Sequence, residues 1–306
     1  MKILGTGLTG LIGSRIQELL KDKYQFENLS LTTSVDVTDS EKILSLITSS
    51  NASLVLHLAA KTDVDGCQKD KEKDIKILRY EDIKERETAW VKEKTAWGVN
   101  VIGTKNVINA CARSGKKLIY VSTDFVFDGK KEKPYGEEDA PSPINWYGQT
   151  KYEGEKLVAS SSLSWVILRL AYPYRANFQK RDFARVLIDR LKNGEKVSLI
   201  TDHIMTPTLA DDLSYALETI INKESLGIFH AVGSQFVSPF EAGVIISNIF
   251  GFDKNLLQKT TREEFFKNRA GRPFNLALKN DKIQKLGIKM RTFEEGIFEI
   301  KKQLNL

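Results

Sequence analysis

The first twenty residues constrain this chain more than any other stretch. Met1-Lys2-Ile3-Leu4 is a short apolar run. Gly5-Thr6-Gly7-Leu8-Thr9-Gly10-Leu11-Ile12-Gly13 follows, and residues 14–20 then carry apolar side chains at helical spacing. Strand, glycine turn and helix in that order is the context in which a glycine fingerprint takes a dinucleotide. Glycines permit the tight turn and let backbone N–H groups approach a pyrophosphate at the helix N-terminus. The spacing Gly7-x-x-Gly10-x-x-Gly13 departs by one residue from the simplest form of that pattern. Composition alone fits an ordinary glycine-rich turn, so it is the context that selects cofactor binding, with Gly7, Gly10, Leu11, Ile12 and Gly13 as the expected contacts.

The next elements read as more of the same sheet. A second strand is expected over 29–33. Its end, Thr32-Thr33-Ser34, has neither the acid that reads a free ribose 2′-hydroxyl nor the Arg that reads a 2′-phosphate. Hydroxyls there repel neither, which leaves NADPH or NADH. Asp36, with Val37 beside it, is placed to meet the adenine edge, while Asp39 suits a cap for a helix over 40–48. Residues 54–60 form a continuous apolar strand of the kind buried on both faces of a parallel sheet. Small side chains at Ala59 and Ala60, followed by Lys61, leave room for a cofactor, and His57 reads as a packed core histidine.

A segment over 68–97 is dense in Lys, Glu, Asp and Arg and contains a near-repeat, Arg86-Glu87-Thr88-Ala89-Trp90 against Lys94-Thr95-Ala96-Trp97. On one continuous helix Trp90 and Trp97 would fall on the same side, and the mixed charges would form a solvated face. A helical insertion is therefore expected. An amphipathic helix over 99–111 and a strand over 117–121 follow, leading into Ser122-Thr123-Asp124. Hydroxyls at the carboxyl end of a parallel strand stand where such sheets bind ligands, so Thr123 is a candidate to hold a carbonyl.

Tyr147-Gly148-Gln149-Thr150-Lys151 lies in a further helical stretch, which puts Tyr147 and Lys151 on one face. A nearby cation favours the ionised phenol, making Tyr147 a candidate proton donor. The spacing is common by chance and needs the rest of the chain to give it weight. After a strand over 165–170, helices alternate with short strands, and Ser238 with Glu241 forms a capping box. This predicts a nucleotide-binding domain over 1–170 and a smaller substrate lobe over 171–306, with some strands returning to the first sheet.

Composition excludes several classes. The chain has 306 residues, 41% hydrophobic and 28% charged, with a net charge of +6 distributed over 46 basic and 40 acidic residues. No basic block interleaved with aromatics tracks a nucleic-acid backbone, and no apolar run reaches membrane-spanning length. Cys67 and Cys111 make neither a disulfide framework nor a metal cluster, and no metal is expected. The N-terminus runs straight into a strand, so a cytoplasmic protein is expected.

These pieces, in this order, resemble the extended short-chain dehydrogenase/reductase family. The resemblance is carried by the glycine loop, His57-Leu58-Ala59-Ala60, Val99-Asn100-Val101-x-Gly103-Thr104, Ser122-Thr123-Asp124 and Tyr147-x-x-x-Lys151. It is nearest to the dTDP-4-dehydrorhamnose reductase branch, through Ser122–Gly129, Tyr147–Glu155, Thr206-Pro207-Thr208 and Arg272-Pro273. It implies a Rossmann-type doubly wound parallel sheet with a smaller C-terminal α/β lobe. It implies Tyr147 as proton donor, Lys151 on the nicotinamide ribose, Thr123 on the keto oxygen and Asp124 as a further active-site acid. Asn100 would hold a water serving Lys151. Thr123, Asp124, Phe125, Tyr147 and Arg272 would meet a nucleotide-sugar substrate, with a homodimer as the candidate assembly. Two other readings share these motifs: a nucleotide-sugar epimerase or dehydratase, and a non-catalytic subunit resembling the methionine adenosyltransferase β subunit. The resembling dehydratases carry an acid after Asp124, where this chain has Phe125.

Overall fold

The structure is a computed structural model that describes residues 1–305. Its strands are β1 (Lys2–Thr6), β2 (Gln25–Leu29), β3 (Leu54–His57), β4 (Lys117–Thr123), β5 (Trp165–Leu170), β6 (Pro173–Tyr174), β7 (Val197–Ile200), β8 (Thr208–Leu209), β9 (Gly227–His230) and β10 (Leu257–Thr260). Two compact units divide the chain, the first comprising Met1–Val126, Pro141–Leu168 and Ser225–Ile228.

The first unit is a Rossmann-type α/β body. Strand order in its sheet is β2-β1-β3-β4-β5-β9, of which β5 and β9 enter this unit with residues 165–168 and 227–228. Strand β1 runs parallel to both β2 and β3, and β3 parallel to β4. Helices α1 (Leu11–Leu20), α2 (Ser40–Ser49), α3 (Val64–Leu78), α4 (Ile83–Glu93), α5 (Gly103–Ser114) and α6 (Trp146–Ala159) fill the connections. Leu4, Val55, Leu118 and Ile167 from the strands bury against Ile43, Ile47, Val107 and Val158 from the helices. Each such side chain removed from water contributes roughly 1.5–3 kcal/mol.

Two expectations change here. The second strand is Gln25–Leu29 rather than 29–33, and Leu31–Thr33 is a single 3-10 turn. Its capping box closes it: the Ser30 N–H donates to Thr33 Oγ1 at 3.0 Å. Gln25, Glu27 and Asn28 are tolerated in β2 because it is an edge strand, and Lys2 pairs with Glu27 at 2.7 Å. The insertion is helical, but Trp90 and Trp97 do not share a helix. Lys94 adopts φ 47° and its N–H returns to the Trp90 carbonyl, ending α4. The expected helix over 99–111 opens with a π-helical turn, Gly98–Ile102, before α5 begins.

The second unit comprises Phe127–Ala140, Arg169–Glu224 and the residues from Phe229 onward. Parallel pairs β6–β8 and β7–β10 form two small sheets. Helices α7 (Phe183–Lys192), α8 (Ala210–Asn222), α9 (Pro239–Phe250), α10 (Arg262–Phe265), α11 (Asp281–Gln284) and α12 (Phe293–Gln303) complete it. Its core joins Leu187, Leu191, Ile246 and Ile297 to an aromatic group in which Phe183 stacks on Phe293 at 5.8 Å. Among the described residues, no helix is long and apolar enough to cross a membrane.

Candidate active site

Sheet register assembles the first unit's site. Thr6 lies opposite His57, and His57 opposite Tyr120, so a hydroxyl and an imidazole meet at the carboxyl ends of β1 and β3, beside the middle of β4. Gly7 follows at φ +70°, and a Cβ there would come within 2.8 Å of the Ala59 backbone nitrogen. A side chain at that position would fill the cradle between the loop and residue 59. Gly10 is the N-cap of α1 without a side-chain cap, Leu11 and Ile12 open the helix, and Gly13 is buried in its first turn. This is the arrangement of backbone and space that a pyrophosphate requires.

A buried hydrogen-bond chain runs inward from there. The Ala59 N–H donates to Thr6 Oγ1 at 3.2 Å, and Thr6 Oγ1 lies 2.6 Å from His57 Nδ1. His57 Nε2 lies 3.0 Å from Thr104 Oγ1, which donates to the Asn100 carbonyl at 2.7 Å. With the Thr104 proton committed to Asn100, Nε2–H is the donor and Nδ1 accepts from Thr6. Burial, with help from the Lys151 charge, lowers the His57 pKa to about 3, so the ring is neutral. It is the core histidine expected, with every ring nitrogen partnered.

Asn100, 1% exposed, then ties the segment after β3 to α6. Its Oδ1 accepts from the Lys61 N–H at 2.8 Å, and its Nδ2 donates to Thr150 Oγ1 at 2.9 Å. Thr150 in turn donates to the Tyr147 carbonyl at 2.9 Å. Thr6, Thr104 and Thr150 lie within the motifs quoted above, but their contact is not legible there; the parallel register and the π-helical turn bring them together.

Helix α6 starts at Asn145, whose side chain accepts from the Gly148 N–H at 2.8 Å. Tyr147 is buried there, its ring edge-on to Phe125 at 5.7 Å. Thr123 Oγ1 donates to Asp124 Oδ1 at 2.8 Å. Ser122 Oγ and Asp124 Oδ2 are buried without a hydrogen-bond partner. Burial raises the Asp124 pKa to about 7, and the Thr123 hydrogen bond opposes it. Burial also pushes the Tyr147 phenol well above its usual value, the Thr123 hydrogen bond working against this and the Asp124 charge adding to it. This differs from the sequence reading, in which Lys151 lowers the phenol: the Lys151 ammonium donates instead to the Val121 carbonyl at 2.8 Å.

Asp36 is already engaged. It accepts from the Thr38 N–H and hydroxyl at 3.0 and 2.7 Å and pairs with Lys94 at 3.0 Å. Burial opposes its ionisation, but these partners hold its carboxyl below the usual value. Val37 is buried, its carbonyl accepting from Asn106 Nδ2 at 3.0 Å. Ala60 and Lys61 lead from β3 toward α3, and Lys61 Nζ pairs with Asp70 at 2.6 Å. Both cysteines are free and buried.

Arg272 belongs to the second unit. Its guanidinium lies 4.7 Å from the Phe266 ring and donates to the Ala270 carbonyl at 2.7 Å. It lines a 360 Å³ pocket with Arg262, Glu263, Phe266, Lys267 and Arg269, in which the cations outnumber the one acid. Thr206, from the late motif, holds the neighbouring segment: its hydroxyl donates to the Leu276 carbonyl at 3.1 Å and accepts from the Leu278 N–H at 3.0 Å.

Comparison with known proteins agrees along the full length. The chain is 28% identical over 317 residues to dTDP-4-dehydrorhamnose reductase of Aggregatibacter actinomycetemcomitans, covering 98% of both. It is 29% identical over 314 residues to methionine adenosyltransferase 2 subunit beta of Mus musculus, covering 97% of this chain and 86% of that one. The crystal structure of dTDP-4-dehydrorhamnose reductase from Bacillus anthracis in complex with NADP matches with a TM-score of 0.85 at 27% identity, over 99% of each chain. The profile of the family described as RmlD substrate binding domain matches residues 1–80 and 79–306, and the chain belongs to that family.

Proposed function

We propose that the chain is an NAD(P)H-dependent reductase of the 4-keto group of a nucleotide-linked deoxysugar, with dTDP-4-dehydrorhamnose to dTDP-rhamnose as the first pair to test. The observation that carries it is the meeting of the Tyr147 phenol, the Thr123 hydroxyl and the unpartnered Asp124 Oδ2 at the end of β4. Reduced nicotinamide, when bound, supplies the hydride. Gly7, Gly10, Leu11, Ile12 and Gly13 would hold its pyrophosphate, Asp36 and Val37 would border its adenine, and Ala59, Ala60, Lys61 and Asn100 would flank it. Lys151 would take its ribose.

The chain's own contribution is orientation and a proton. Thr123 donates its hydroxyl to the keto oxygen in place of Asp124, and Tyr147, fully protonated at neutral pH, gives its proton as the alkoxide develops. Asp124, titrating near neutrality, offers a second hydrogen-bonding acid beside Phe125. Arg272, with Arg262, Lys267 and Arg269 beside it, would supply cations for the substrate's diphosphate. The reading takes the enzyme to be cytoplasmic; sedimentation of the purified chain decides between monomer and homodimer.

A panel of nucleotide-4-ketosugars assayed with NADPH and NADH tests the reading. Tyr147→Phe should bind cofactor nearly as well as the parent and lose turnover by orders of magnitude. A fully active Phe variant would sink the assignment. The likeness to methionine adenosyltransferase 2 subunit beta supports a second reading, a regulatory subunit, for which cofactor would bind without any ketosugar being reduced.

A further inference from the structure

The insertion over 68–97 takes no part in the chemistry above, yet it reaches the first residue of the catalytic helix from several sides. The backbone N–H of Trp146, immediately before Tyr147, donates to Gln68 Oε1 at 3.0 Å. Its indole Nε1–H donates to Asp74 Oδ2 at 2.7 Å. Its ring stacks on Trp97 with centroids 5.7 Å apart and planes inclined by 25°, and Lys71 Nζ lies 5.8 Å from the ring centroid. Gln68, Lys71 and Asp74 all lie on α3, while Trp97 follows α4.

Asp74 is the unusual member. It is 0% exposed in the most highly charged stretch of the chain. Its Oδ2 also accepts from the Trp97 N–H at 3.0 Å, and among the described residues no ion pair reaches it. A buried carboxylate without a cation is costly and is kept only by the hydrogen bonds it accepts. One turn earlier, Asp70 accepts from the Ala96 N–H at 2.8 Å and from Lys61 Nζ at 2.6 Å. Two carboxylates of one helix thus hold residues 96 and 97 just ahead of the π-helical turn that carries Asn100. That turn grips α6 at Thr150, and Asp74 grips it at Trp146, so Tyr147 sits between two fixed points on its helix.

We propose that the charged insertion braces the catalytic helix, with Asp74 as a positioning residue that acts through the Trp146 indole to hold Tyr147 against Thr123. The proposal rests on the reductase reading for its effect on turnover, but not for its effect on the helix. Losing a hydrogen bond to a buried charged group weakens the hold on α6 without touching a cofactor or substrate contact.

Hydrogen exchange at the amides of the first turns of α6 and steady-state kinetics with NADPH and the ketosugar test it together. Asp74→Ala should speed exchange there and lower kcat about tenfold, with the KM for NADPH unchanged. Asp74→Asn, which keeps an acceptor oxygen, should restore most of both. Trp146→Phe keeps an aromatic ring for the stack, and it removes the indole N–H together with part of the ring's volume. It should reproduce the Asp74→Ala defect, and it decides the matter alone if that variant does not fold. The double variant should be no worse than the more affected single one. Unaltered exchange in folded Asp74→Ala or in Trp146→Phe overturns the brace. So does a rise in KM matching the fall in kcat, or defects that multiply in the double variant. If the parent reduces no ketosugar, the reductase reading fails while exchange still judges the brace.

Discussion

Lys151 Nζ donates to the Val121 carbonyl at 2.8 Å and lies 4.1 Å from the centre of the Tyr120 ring. The ammonium is therefore directed at β4, the strand that ends in Thr123, rather than at the Tyr147 phenol.

That placement has a consequence for stability. Burial lowers the Lys151 pKa from 10.5 to about 7, with the Glu155 charge opposing. Because the folded value lies below the unfolded one, the folded chain binds fewer protons between them. The contribution is present above the unfolded value and is lost as pH falls through about 7. Lys151→Met should therefore stabilise the protein at about pH 6 by an amount on the order of a few kcal/mol, and by much less at about pH 10, while abolishing reduction. Urea unfolding at the two pH values checks this; an equal gain at both contradicts it.

Asp124 predicts the opposite slope. Burial raises its pKa from 3.8 to about 7, so the folded chain holds the extra proton between those values. Its contribution is present below the unfolded value and lost as pH rises through about 7. Asp124→Asn keeps an oxygen for the Thr123 hydroxyl and cannot titrate. The melting temperature of Asp124→Asn, relative to the parent, should climb between about pH 5 and about pH 8. A constant difference across that range would show that the carboxyl ionises normally.

The fold was legible where the signal is local. The glycine turn between β1 and α1 needs only its neighbours, and Tyr147 and Lys151 need only a helix. The second strand was misplaced because β2, at the sheet edge, carries Gln25, Glu27 and Asn28, while the apolar Leu29 only ends it and Leu31 opens a turn. Asp74 was invisible for a different reason. A buried acid in a run of Lys, Glu and Asp has the composition of a solvated face, and its partner Trp146 lies 72 residues away. The Lys151–Val121 contact depends on how closely α6 approaches β4, which no spacing along the chain encodes.

That approach depends on Gly148. A Cβ there would collide with the Phe125 carbonyl oxygen, and a main-chain atom in the turn after β4 cannot swing aside as a side chain could. Gly148→Ala should cost about 1–3 kcal/mol in urea unfolding. Because the same shift moves Tyr147 relative to Phe125 and Thr123, kcat should fall more than ordinary instability explains. Turnover measured well below the unfolding transition separates the two effects, and a stable variant with full kcat would refute the close approach.

The neutral His57 can be read through Thr104. Thr104→Val preserves shape and leaves the buried His57 Nε2–H without its acceptor, a loss of about 1–3 kcal/mol, whereas Thr104→Ser keeps the hydroxyl and should lose less. The pH dependence identifies the imidazole as the group concerned. Its folded pKa of about 3 lies below the unfolded 6.5, so its contribution is present above 6.5 and lost as pH falls toward 3. Since the chain from Thr6 through His57 and Thr104 ends on the Asn100 carbonyl, Thr104→Val should also loosen Asn100. Its Lys61 and Thr150 contacts then weaken together, and the KM for NADPH should rise with the loss of stability. Urea unfolding and cofactor titration of both variants at about pH 7 check the pair: a Val variant as stable as the Ser variant would show that the imidazole N–H has another acceptor.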